Sequence, residues 1–466
     1  MTSLPMRLGS AATSVCACLL AVFDVAAQEP PPPISKDFFA GRRQALMTSI
    51  KELSKPGEVH VVVMRGARQR PDLATNHQDH DFYYLTGVTE PDAAMMLWPA
   101  TGKEELLVLP YSPFTATWNG IRLAPGDAAA RETGFAAVGN SAGLHRRLRA
   151  LAAEDGGTLV IWTELQPQPN VTATGASAAE YAKKQERDRF DGRVTREQAF
   201  ADRLDELLGG PRIEDVGLLI GRLRAVKTDE ELRQIRAATL IATEGLAEAM
   251  KSTRPGVFEY QIAAAARYVF SRLGAGPDAY SAIVGSGPNG CILHYNRNDR
   301  RVEDGDLIVM DYGPTVNGYC TDVTRTFPAN GKFTPAQREL VSDVAEVQRE
   351  LIDRIKPGAR LSALSALCGQ LLREKGYRVD HGPCHHVGLA VHDKEGDVLR
   401  PGMVITVEPG AYLRGEGMGC RIEDVVLVTE TGCEVLSGHL AASPDAIEEL
   451  MAGEGIQQRN VGLTGK

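Results

Sequence analysis

The chain has 466 residues, 43% of them hydrophobic and 24% charged, so it can bury large cores and form two or three globular domains. Its formal net charge of -9 argues against nucleic acid or an anionic membrane surface as a main partner, because both require clustered basic residues. A peptide or another small molecule is a more plausible partner for a chain of this charge than nucleic acid or a membrane.

The N-terminus is typical of a secretory signal peptide over residues 1–27. Arg7 precedes an apolar run of small residues, and Val25-Ala26-Ala27 supplies the small side chains that a signal peptidase requires. We expect cleavage after Ala27 and an exported, periplasmic or secreted protein. The alternative is a start codon assigned upstream of a cytoplasmic enzyme. No other stretch has the roughly 18 apolar residues that span a bilayer, so we expect no membrane contact after cleavage.

The remaining cysteines are widely spaced and contain no CxxC pair, which argues against a zinc ribbon or a redox pair. They are Cys291, Cys320, Cys368, Cys384, Cys420 and Cys433. Most are predicted to be small buried side chains, although an oxidising compartment would permit a disulfide.

A proline-rich spacer is predicted at residues 28–36. Helical patterns then alternate with short β-rich runs such as VHVVVM, and they predict an α/β N-terminal domain that, with its linker, spans residues 37–212. A second, larger domain is predicted at residues 213–450 and a C-terminal tail at 451–466.

Two helical segments are predicted around the domain junction. A highly charged helical stretch covers residues 178–208. Residues 222–250 then predict a long amphipathic helix, with Thr228 as its N-cap and Glu231 completing a capping box.

A hairpin with paired carboxylates is predicted in the segment DLIVMDYGPTVNGYCTDVTRTF. Two β-rich runs flank Asn317-Gly318, which is the strongest short hairpin signal. If these residues form the turn, Asp311 faces Thr324, and Asp311 and Asp322 share one face of the sheet. Carboxylates that close repel one another unless a cation lies between them. A lone aspartate pair is more often a solvated edge strand, so the metal hypothesis depends on other segments.

Histidines and glutamates supply further candidate ligands. The segment HGPCHHVGLAVHD, residues 381–393, holds four of the ten histidines, and ILHYN contributes His294. Glu408 ends one β-rich run, and Glu423 lies within the next.

Four carboxylates with at least one imidazole favour hard or borderline ions such as manganese or cobalt over a tetrahedral zinc site. Bridging carboxylates further suggest two ions about 3.5 to 4 Å apart, as in hydrolases that activate a water. The residues by themselves therefore predict a dinuclear metallohydrolase.

Five motifs, GSGPNGCILHYN, MDYG…TDVTRTFP, HGPCHHVGLAVHD, VEPGAY and RIED, resemble the pita-bread metallopeptidases, specifically the aminopeptidase P family. The segment DFYYLTGVTEPDA, residues 81–94, resembles the N-terminal domain of aminopeptidases P and prolidases. The resemblance covers most of the mature chain. It implies an α/β (α+β) fold in which a smaller α/β domain precedes a pita-bread catalytic domain. The implied activity is hydrolysis of the N-terminal Xaa-Pro bond, with peptides that carry proline at the second position as substrates.

The resemblance also implies a set of metal ligands. They are Asp311, Asp322, His385, Glu408 and Glu423. Asp311 is then a terminal ligand of one ion, Asp322 and Glu423 bridge both ions, and His385 and Glu408 complete the second. His385 is preferred over His386 because the family reads HGxxHxxG. The implied cofactors are two divalent metal ions, most readily manganese, with cobalt or zinc as alternatives, and the implied nucleophile is a hydroxide held between them.

The same resemblance implies catalytic roles for three residues. Glu408 takes a proton from the attacking water and passes it toward the leaving proline nitrogen, and His294 and His392 contact substrate or intermediate. The implied substrate-binding residues are His381, Tyr412 and Arg421. Arg421 either contacts substrate or holds Glu423 through a salt bridge. The chain departs from the family at Cys384 and His386, and at Tyr312, which is expected to narrow the site.

Several alternatives share the fold. A prolidase, which cuts only Xaa-Pro dipeptides, has the same ligands, but the motif NGCILHYN is more typical of aminopeptidase P. A metal-free hydrolase of the creatinase type or a non-catalytic binding module would lack the ligand carboxylates, all of which are present here. Since relatives are commonly dimers or tetramers, we expect a homodimer or homotetramer.

Overall fold

The computed structural model describes residues 31–69, 78–152, 157–167, 175–393 and 396–459. The predicted signal peptide, the first residues of the predicted spacer and the end of the predicted tail lie outside these ranges. No helix within these ranges is both long enough and apolar enough to span a bilayer.

The N-terminal domain is a six-stranded mixed sheet with helices packed against it. Its strands are β1 (Glu58–Arg65), β2 (Ala94–Trp98), β3 (Lys103–Val108), β4 (Val138–Asn140), β5 (Thr158–Thr163) and β6 (Arg212–Asp215). Their order across the sheet is β4-β3-β2-β1-β5-β6, with β1 antiparallel to β2 and parallel to β5. Its helices are α1 (Lys36–Leu53), α2 (His80–Thr86), α3 (Pro113–Asn119), α4 (Asp127–Thr133), α5 (Leu144–Ala152), α6 (Gly175–Arg187), α7 (Arg196–Leu208) and α8 (Gly217–Ala225). The predicted α/β character of this domain is confirmed.

Both helical segments predicted at the junction are interrupted. The charged stretch forms α6 and α7 as separate helices, because Gly192 adopts a positive φ of 58° between them and Thr195 caps α7. The long helix begins only after Thr228, whose capping box with Glu231 is present as predicted.

The catalytic domain consists of small antiparallel sheets covered by helices. Its helices are α9 (Asp229–Ser252), α10 (Glu259–Arg272), α11 (Pro335–Ile352), α12 (Leu361–Glu374), α13 (Pro444–Met451) and α14 (Ile456–Arg459). Its strands are β7 (Ile283–Ser286), β8 (Leu307–Asp311), β9 (Thr315–Val316), β10 (Tyr319–Cys320), β11 (Thr324–Pro328), β12 (Val404–Val407), β13 (Gly410–Leu413), β14 (Met418–Arg421), β15 (Asp424–Val428) and β16 (Cys433–Val435). The two three-stranded sheets have the orders β11-β8-β7 and β12-β15-β16.

The predicted hairpin forms with the predicted register. Asn317 and Gly318 both have positive φ, 47° and 84°, as a two-residue type I′ turn requires. Thr324 pairs with Asp311, as expected. A Cβ on Gly313 would overlap the carbonyl of Thr321, so the two strands come very close at this point.

One hydrophobic core extends from the N-terminal domain into the catalytic domain. It contains Phe82 and Leu85 of α2 together with Tyr319 and Leu389 of the catalytic domain. Tyr83 of α2 donates to the Asn317 carbonyl at 3.3 Å, so α2 packs against the turn of the hairpin that carries the paired aspartates. All six cysteines outside the signal segment are free thiols in the structure.

A buried arginine connects β11 to the neighbouring sheet. Arg325, whose side chain is 1% exposed, donates to the Glu423 carbonyl at 2.7 Å and forms an ion pair with Asp424 at 2.7 Å. It also donates to the carbonyls of Leu440 and Ala441. This one side chain thus fixes the backbone at Glu423.

Replacing Arg325 by methionine should lower the free energy of unfolding by about 3–5 kcal/mol, because the buried Asp424 carboxylate loses its cation. Thermal unfolding should show a lower Tm. Arg236→Met is the control, since Arg236 pairs with Glu434 on the surface, and its Tm should stay that of the parent. Equal Tm values for both variants would contradict the role of Arg325.

Candidate metal centre

A cavity of about 600 Å³ lies where the small sheets of the catalytic domain meet. The residues that line it are Tyr280, Ser281, Ile283, Leu293, His294, Asn296, Asp311, Asp322, His381, Gly382, Cys384, His385, Val391, His392, Glu408, Arg421 and Glu423. Every site residue predicted from the sequence is among them except Tyr412, which contacts two of them from behind. The cavity is large enough for a short peptide.

Strand ends bring the acidic side chains together. Asp311 is the last residue of β8, Glu408 directly follows β12, and Glu423 lies between β14 and β15. A single bridge between Thr324 and Glu423 joins the two three-stranded sheets at this point. Residues distant in the chain therefore meet where two sheets touch.

Three of the five predicted ligands form a compact group. Donor atoms of Asp322, His385 and Glu423 all lie within 4.8 Å of one another. His385 Nε2 is 3.5 Å from Asp322 Oδ2 and 3.4 Å from Glu408 Oε1. This spacing leaves a gap of the size that a coordinated cation fills.

Tyr280 links the two aspartates of the hairpin. Its hydroxyl is 2.5 Å from Asp311 Oδ1 and 2.5 Å from Asp322 Oδ1. The two carboxylates are therefore close together on one side of the hairpin, as the register predicted. No sequence pattern marked Tyr280, because it lies outside the motifs and reaches the site only through the fold.

Arg421 forms its direct ion pair with Asp311 and not with Glu423. Its Nη2 donates to Asp311 Oδ2 at 2.7 Å. The predicted alternative, a salt bridge that holds Glu423, is wrong: Glu423 Oε2 accepts instead from Thr324 Oγ1 at 2.7 Å, and Arg421 Nε contacts that same hydroxyl. Thr324, directly opposite Asp311 in the hairpin, separates the guanidinium from Glu423.

A hydrogen-bonded chain lines the wall beside Glu408. Arg421 Nη1 donates to the Tyr412 hydroxyl at 3.1 Å, and that hydroxyl is 2.9 Å from His381 Nε2. His381 Nδ1 lies 3.8 Å from Glu408 Oε2. The three predicted substrate-binding residues thus form one connected unit.

The remaining histidines divide into those facing the cavity and one facing away. His392 stacks on His385 with ring centroids 3.8 Å apart and an interplanar angle of 17°. His294 is exposed at the cavity wall. His386 is buried, and its Nε2 contacts the carbonyl of Gly396, so it points away from the carboxylates.

Cys384 and Tyr312, which both depart from the family pattern, differ in whether they line the cavity. Cys384 lines the cavity. Tyr312 does not, and the expectation that it narrows the site is wrong. It follows Asp311 in the strand direction, so its side chain leaves on the opposite face and packs against Phe270 of α10, with ring centroids 4.9 Å apart.

The buried carboxylates repel one another, and this repulsion adds to the effect of burial on their pKa values. Burial raises the pKa of Asp322 well above its usual range, and the Asp311 carboxylate adds to this rise. Burial raises the pKa of Glu423 in the same way, with Asp322 as the next cause. The pKa of Glu408 is also raised by burial and then by Glu423. A divalent cation among these oxygens would remove the repulsion.

One carboxylate oxygen of the site has an unsatisfied hydrogen-bonding capacity that a metal ion would fill. Glu423 Oε1 is buried and has no hydrogen-bond partner in the part of the chain that the structure describes. It lies 3.9 Å from His385 Nε2. A buried carboxylate oxygen without a donor is costly unless a cation binds it, so these residues fit a divalent metal ion.

Comparison with known proteins gives matches over both domains. The family described as metallopeptidase family M24 matches residues 233–430, and the aminopeptidase P N-terminal domain matches residues 39–161. A protein named Xaa-Pro aminopeptidase from Escherichia coli is 32% identical over 470 residues, covering 90% of this chain and 98% of its own. A protein named Xaa-Pro dipeptidase from Pyrococcus furiosus is 36% identical, covering 48% of this chain and 66% of its own.

Solved structures give the same result. The chain superposes on aminopeptidase P from E. coli, solved with the inhibitor Pro-Leu, with a TM-score of 0.74. The two are 30% identical, and the match covers 90% of this chain and 99% of that one. The predicted combination of a pita-bread domain with a smaller N-terminal domain is therefore confirmed.

Purified protein stripped with a chelator should take up divalent ions again when Mn²⁺ alone is added, as measured by elemental analysis. Asp322→Ala and Glu423→Ala should weaken metal binding by roughly 100-fold or more, because even groups that only support a ligand contribute about 10- to 100-fold. Asp343→Asn is the control, since this carboxylate pairs with Lys375 outside the cavity. A folded parent that takes up no ion would contradict the site.

Proposed function

Because the chain belongs to metallopeptidase family M24 and is a metal-dependent aminopeptidase, we propose that it removes the residue that precedes proline at a peptide N-terminus. The support is full-length similarity: the E. coli relative named Xaa-Pro aminopeptidase matches along 98% of its length, N-terminal domain included. The single structural observation that carries the proposal is the cavity lined by all five predicted ligands together with His294, His381 and His392.

We propose that two divalent ions, most readily manganese, bind between Asp311, Asp322, His385, Glu408 and Glu423. Charge balance supports two ions. The cavity holds four carboxylates and one guanidinium, so one divalent ion would leave it negative and two would leave it with one positive charge. When bound, such ions polarise the scissile carbonyl and acidify a water. A small positive excess favours the negative charge that develops on the carbonyl oxygen.

Glu408 is proposed to carry the proton. Its side chain is 16% exposed, more than the other glutamate of the site, so its carboxylate reaches the cavity. It would take a proton from the attacking water and give it to the proline nitrogen as the peptide bond breaks. This transfer turns the leaving nitrogen into a neutral amine.

The histidines and Arg421 are proposed to position the peptide. Burial lowers the pKa of His392 to about 3, with the neighbouring His385 as the next cause, so its imidazole is neutral at ordinary pH. Burial also lowers the pKa of His381 to about 4. A neutral imidazole can donate one hydrogen bond to the substrate and accept another. His294, exposed on the same cavity, is proposed to contact substrate as well.

A dipeptidase is the second candidate. The relative named Xaa-Pro dipeptidase has the higher percentage identity, 36%, but over only 48% of this chain. The aminopeptidase relative matches nearly twice that share, which favours aminopeptidase activity.

The protein is proposed to form a homodimer or homotetramer. Three large apolar side chains, Phe114, Trp118 and Ile121, lie on or beside α3 in the N-terminal domain and are 74% to 88% exposed. Such a patch is typical of a surface that another protein covers. Light scattering should give a mass of two or four chains, and Ile121→Ser together with Phe114→Ser should lower it. A parent that runs as a monomer would contradict this proposal.

The protein is proposed to be exported, because its N-terminal sequence is typical of a secretory signal peptide. Residues 1–27 have the small side chains before Gln28 that a signal peptidase requires. Sequencing the N-terminus of protein purified from its natural host tests it: a mature chain that starts at Gln28 supports export, and one that retains Met1 opposes it.

Xaa-Pro-Yaa peptides should be cleaved by the Mn²⁺-loaded protein at least about 100-fold faster than matched Xaa-Ala-Yaa peptides, since correct placement of the scissile bond contributes on that scale. The measurement is release of the free N-terminal amino acid, followed before chelation, after chelation and after Mn²⁺ is restored.

The same panel separates the two candidates. Xaa-Pro dipeptides and Xaa-Pro-Yaa tripeptides are compared at equal concentration. Cleavage of tripeptides supports the aminopeptidase, whereas cleavage of dipeptides alone would replace it with the dipeptidase. Equal rates on proline and alanine peptides would refute proline specificity.

A further inference from the structure

A buried ion-pair network connects the N-terminal domain to the loop that carries His392. Asp81 belongs to α2, Arg224 lies near the end of α8, and Asp393 directly follows His392. Arg224 Nη1 donates to Asp81 Oδ1 at 2.6 Å, and Nη2 donates to Asp393 Oδ1. Each of these side chains is at most 3% exposed. One guanidinium therefore bridges carboxylates from the two domains.

Lys227 adds a second cation beside Asp393. Its Nζ lies 3.5 Å from Asp393 Oδ2, and its side chain is 1% exposed. The carboxylate of Asp393 is thus held by both Arg224 and Lys227. Charges buried this deeply depend on their partners, and removing one partner leaves another charge uncompensated.

The carboxylate of Asp393 braces its own loop. The Asp393 amide donates to the His386 carbonyl at 2.8 Å and closes residues 386–393 into a loop. A Cβ on Gly388 would overlap Asp393 Oδ2, so the carboxylate folds back against the loop backbone. The Gly388 carbonyl accepts from the Cys320 amide of the aspartate hairpin at 2.7 Å.

His392 and Asp393 are neighbours in the chain with opposite surroundings. His392 faces the cavity and stacks on His385, whereas Asp393 faces the buried network. A displacement of Asp393 therefore moves the backbone of His392 with it. A displacement of about 1 Å of an active-site group can reduce turnover by about 100-fold.

We propose that Asp81 is a positioning residue that acts through Arg224 and Asp393 to hold His392 in place. The N-terminal domain thereby contributes to the geometry of the active site from behind, without contacting the substrate. This inference rests on the proposed role of His392 in cleaving Xaa-Pro peptides.

Asp81→Asn removes one charge of the network and keeps the size of the side chain. We expect kcat on an Xaa-Pro-Yaa peptide to fall about 10- to 100-fold. The bound Mn²⁺ should stay within about twofold of the parent, since the metal ligands are not altered. Hydrogen exchange of the backbone amides in residues 386–393 should become faster in the same variant.

Glu105→Gln is the matched control. It removes the carboxylate that pairs with Arg147 of α5 at 2.6 Å, in the same domain but not among the residues that line the cavity. It should retain the parent kcat and the parent exchange rates at residues 386–393. An equal loss of kcat in Glu105→Gln would attribute the effect to general destabilisation and overturn the proposal.

A double-mutant cycle with His392→Ala gives the decisive measurement. In the His392→Ala background, Asp81→Asn should lower kcat by less than about twofold, because the side chain that Asp81 positions is absent. Full additivity of the two losses would overturn the proposal. So would a parental kcat for Asp81→Asn.

Two other results, an insoluble Asp81→Asn variant and an inactive parent, still leave the proposal testable. If Asp81→Asn is insoluble, Arg224→Lys takes its place, since one ammonium cannot bridge both carboxylates as the guanidinium fork does; a parental kcat in that variant would overturn the proposal. If the parent cleaves no Xaa-Pro peptide, the proposed function fails. The exchange measurement then still decides whether Asp81 holds the loop: unchanged exchange in Asp81→Asn opposes it.

Discussion

The structure is organised around mutual repulsion between carboxylates that the fold forces into one cavity. Asp311 ends β8, and Asp322, Glu408 and Glu423 each lie next to another strand. Asp311, Asp322 and Glu423 are buried, and Glu408 is 16% exposed where it lines the same cavity. Burying carboxylates is unfavourable unless a positive charge or hydrogen-bond donors compensate them. Arg421, Tyr280 and Thr324 satisfy some of these oxygens, and Glu423 Oε1 is left for an ion.

A site of this kind requires a rigid frame, because carboxylates released from it would separate. Arg325 fixes the backbone beside Glu423, and the turn at Asn317 and Gly318 sets the register that puts Asp311 opposite Thr324. At Glu423 the carboxylate points into the cavity while the buried cation of Arg325 holds the backbone from the other side.

The parts of the structure that follow from local rules were predictable. The positive φ values of Asn317 and Gly318, the capping box of Thr228 and Glu231, and the register of the aspartate hairpin each depend on residues close together in the chain. The proposed ligand set comes from the family motifs, and the preference for His385 over His386 comes from their spacing; the structure places all five side chains on one cavity.

What the sequence did not indicate depends on contacts between distant residues. Tyr280 and Arg224 lie outside the family motifs and bind residues between about 30 and 170 positions away. Arg325 lies within a motif, but its partner at Glu423 is in another segment, which the motif does not indicate. The partner of Arg421 was mistaken for a related reason: Glu423 is its neighbour in the chain, but strand pairing turns its guanidinium toward Asp311. Sequence proximity was a poor guide wherever two sheets meet.

The shared core makes the two domains one functional unit. Phe82 and Leu85 of α2 belong to the same hydrophobic core as Tyr319 and Leu389, and Asp81 on that helix neutralises Arg224. A catalytic domain without α2 would therefore expose apolar surface directly behind the aspartate hairpin and leave Arg224 with a single carboxylate partner in this network. Because both faults lie next to residues that line the cavity, inactivity of an isolated catalytic domain would say nothing about the metal ligands themselves. Only single substitutions in the full chain can separate the contribution of the ligands from that of the domain behind them.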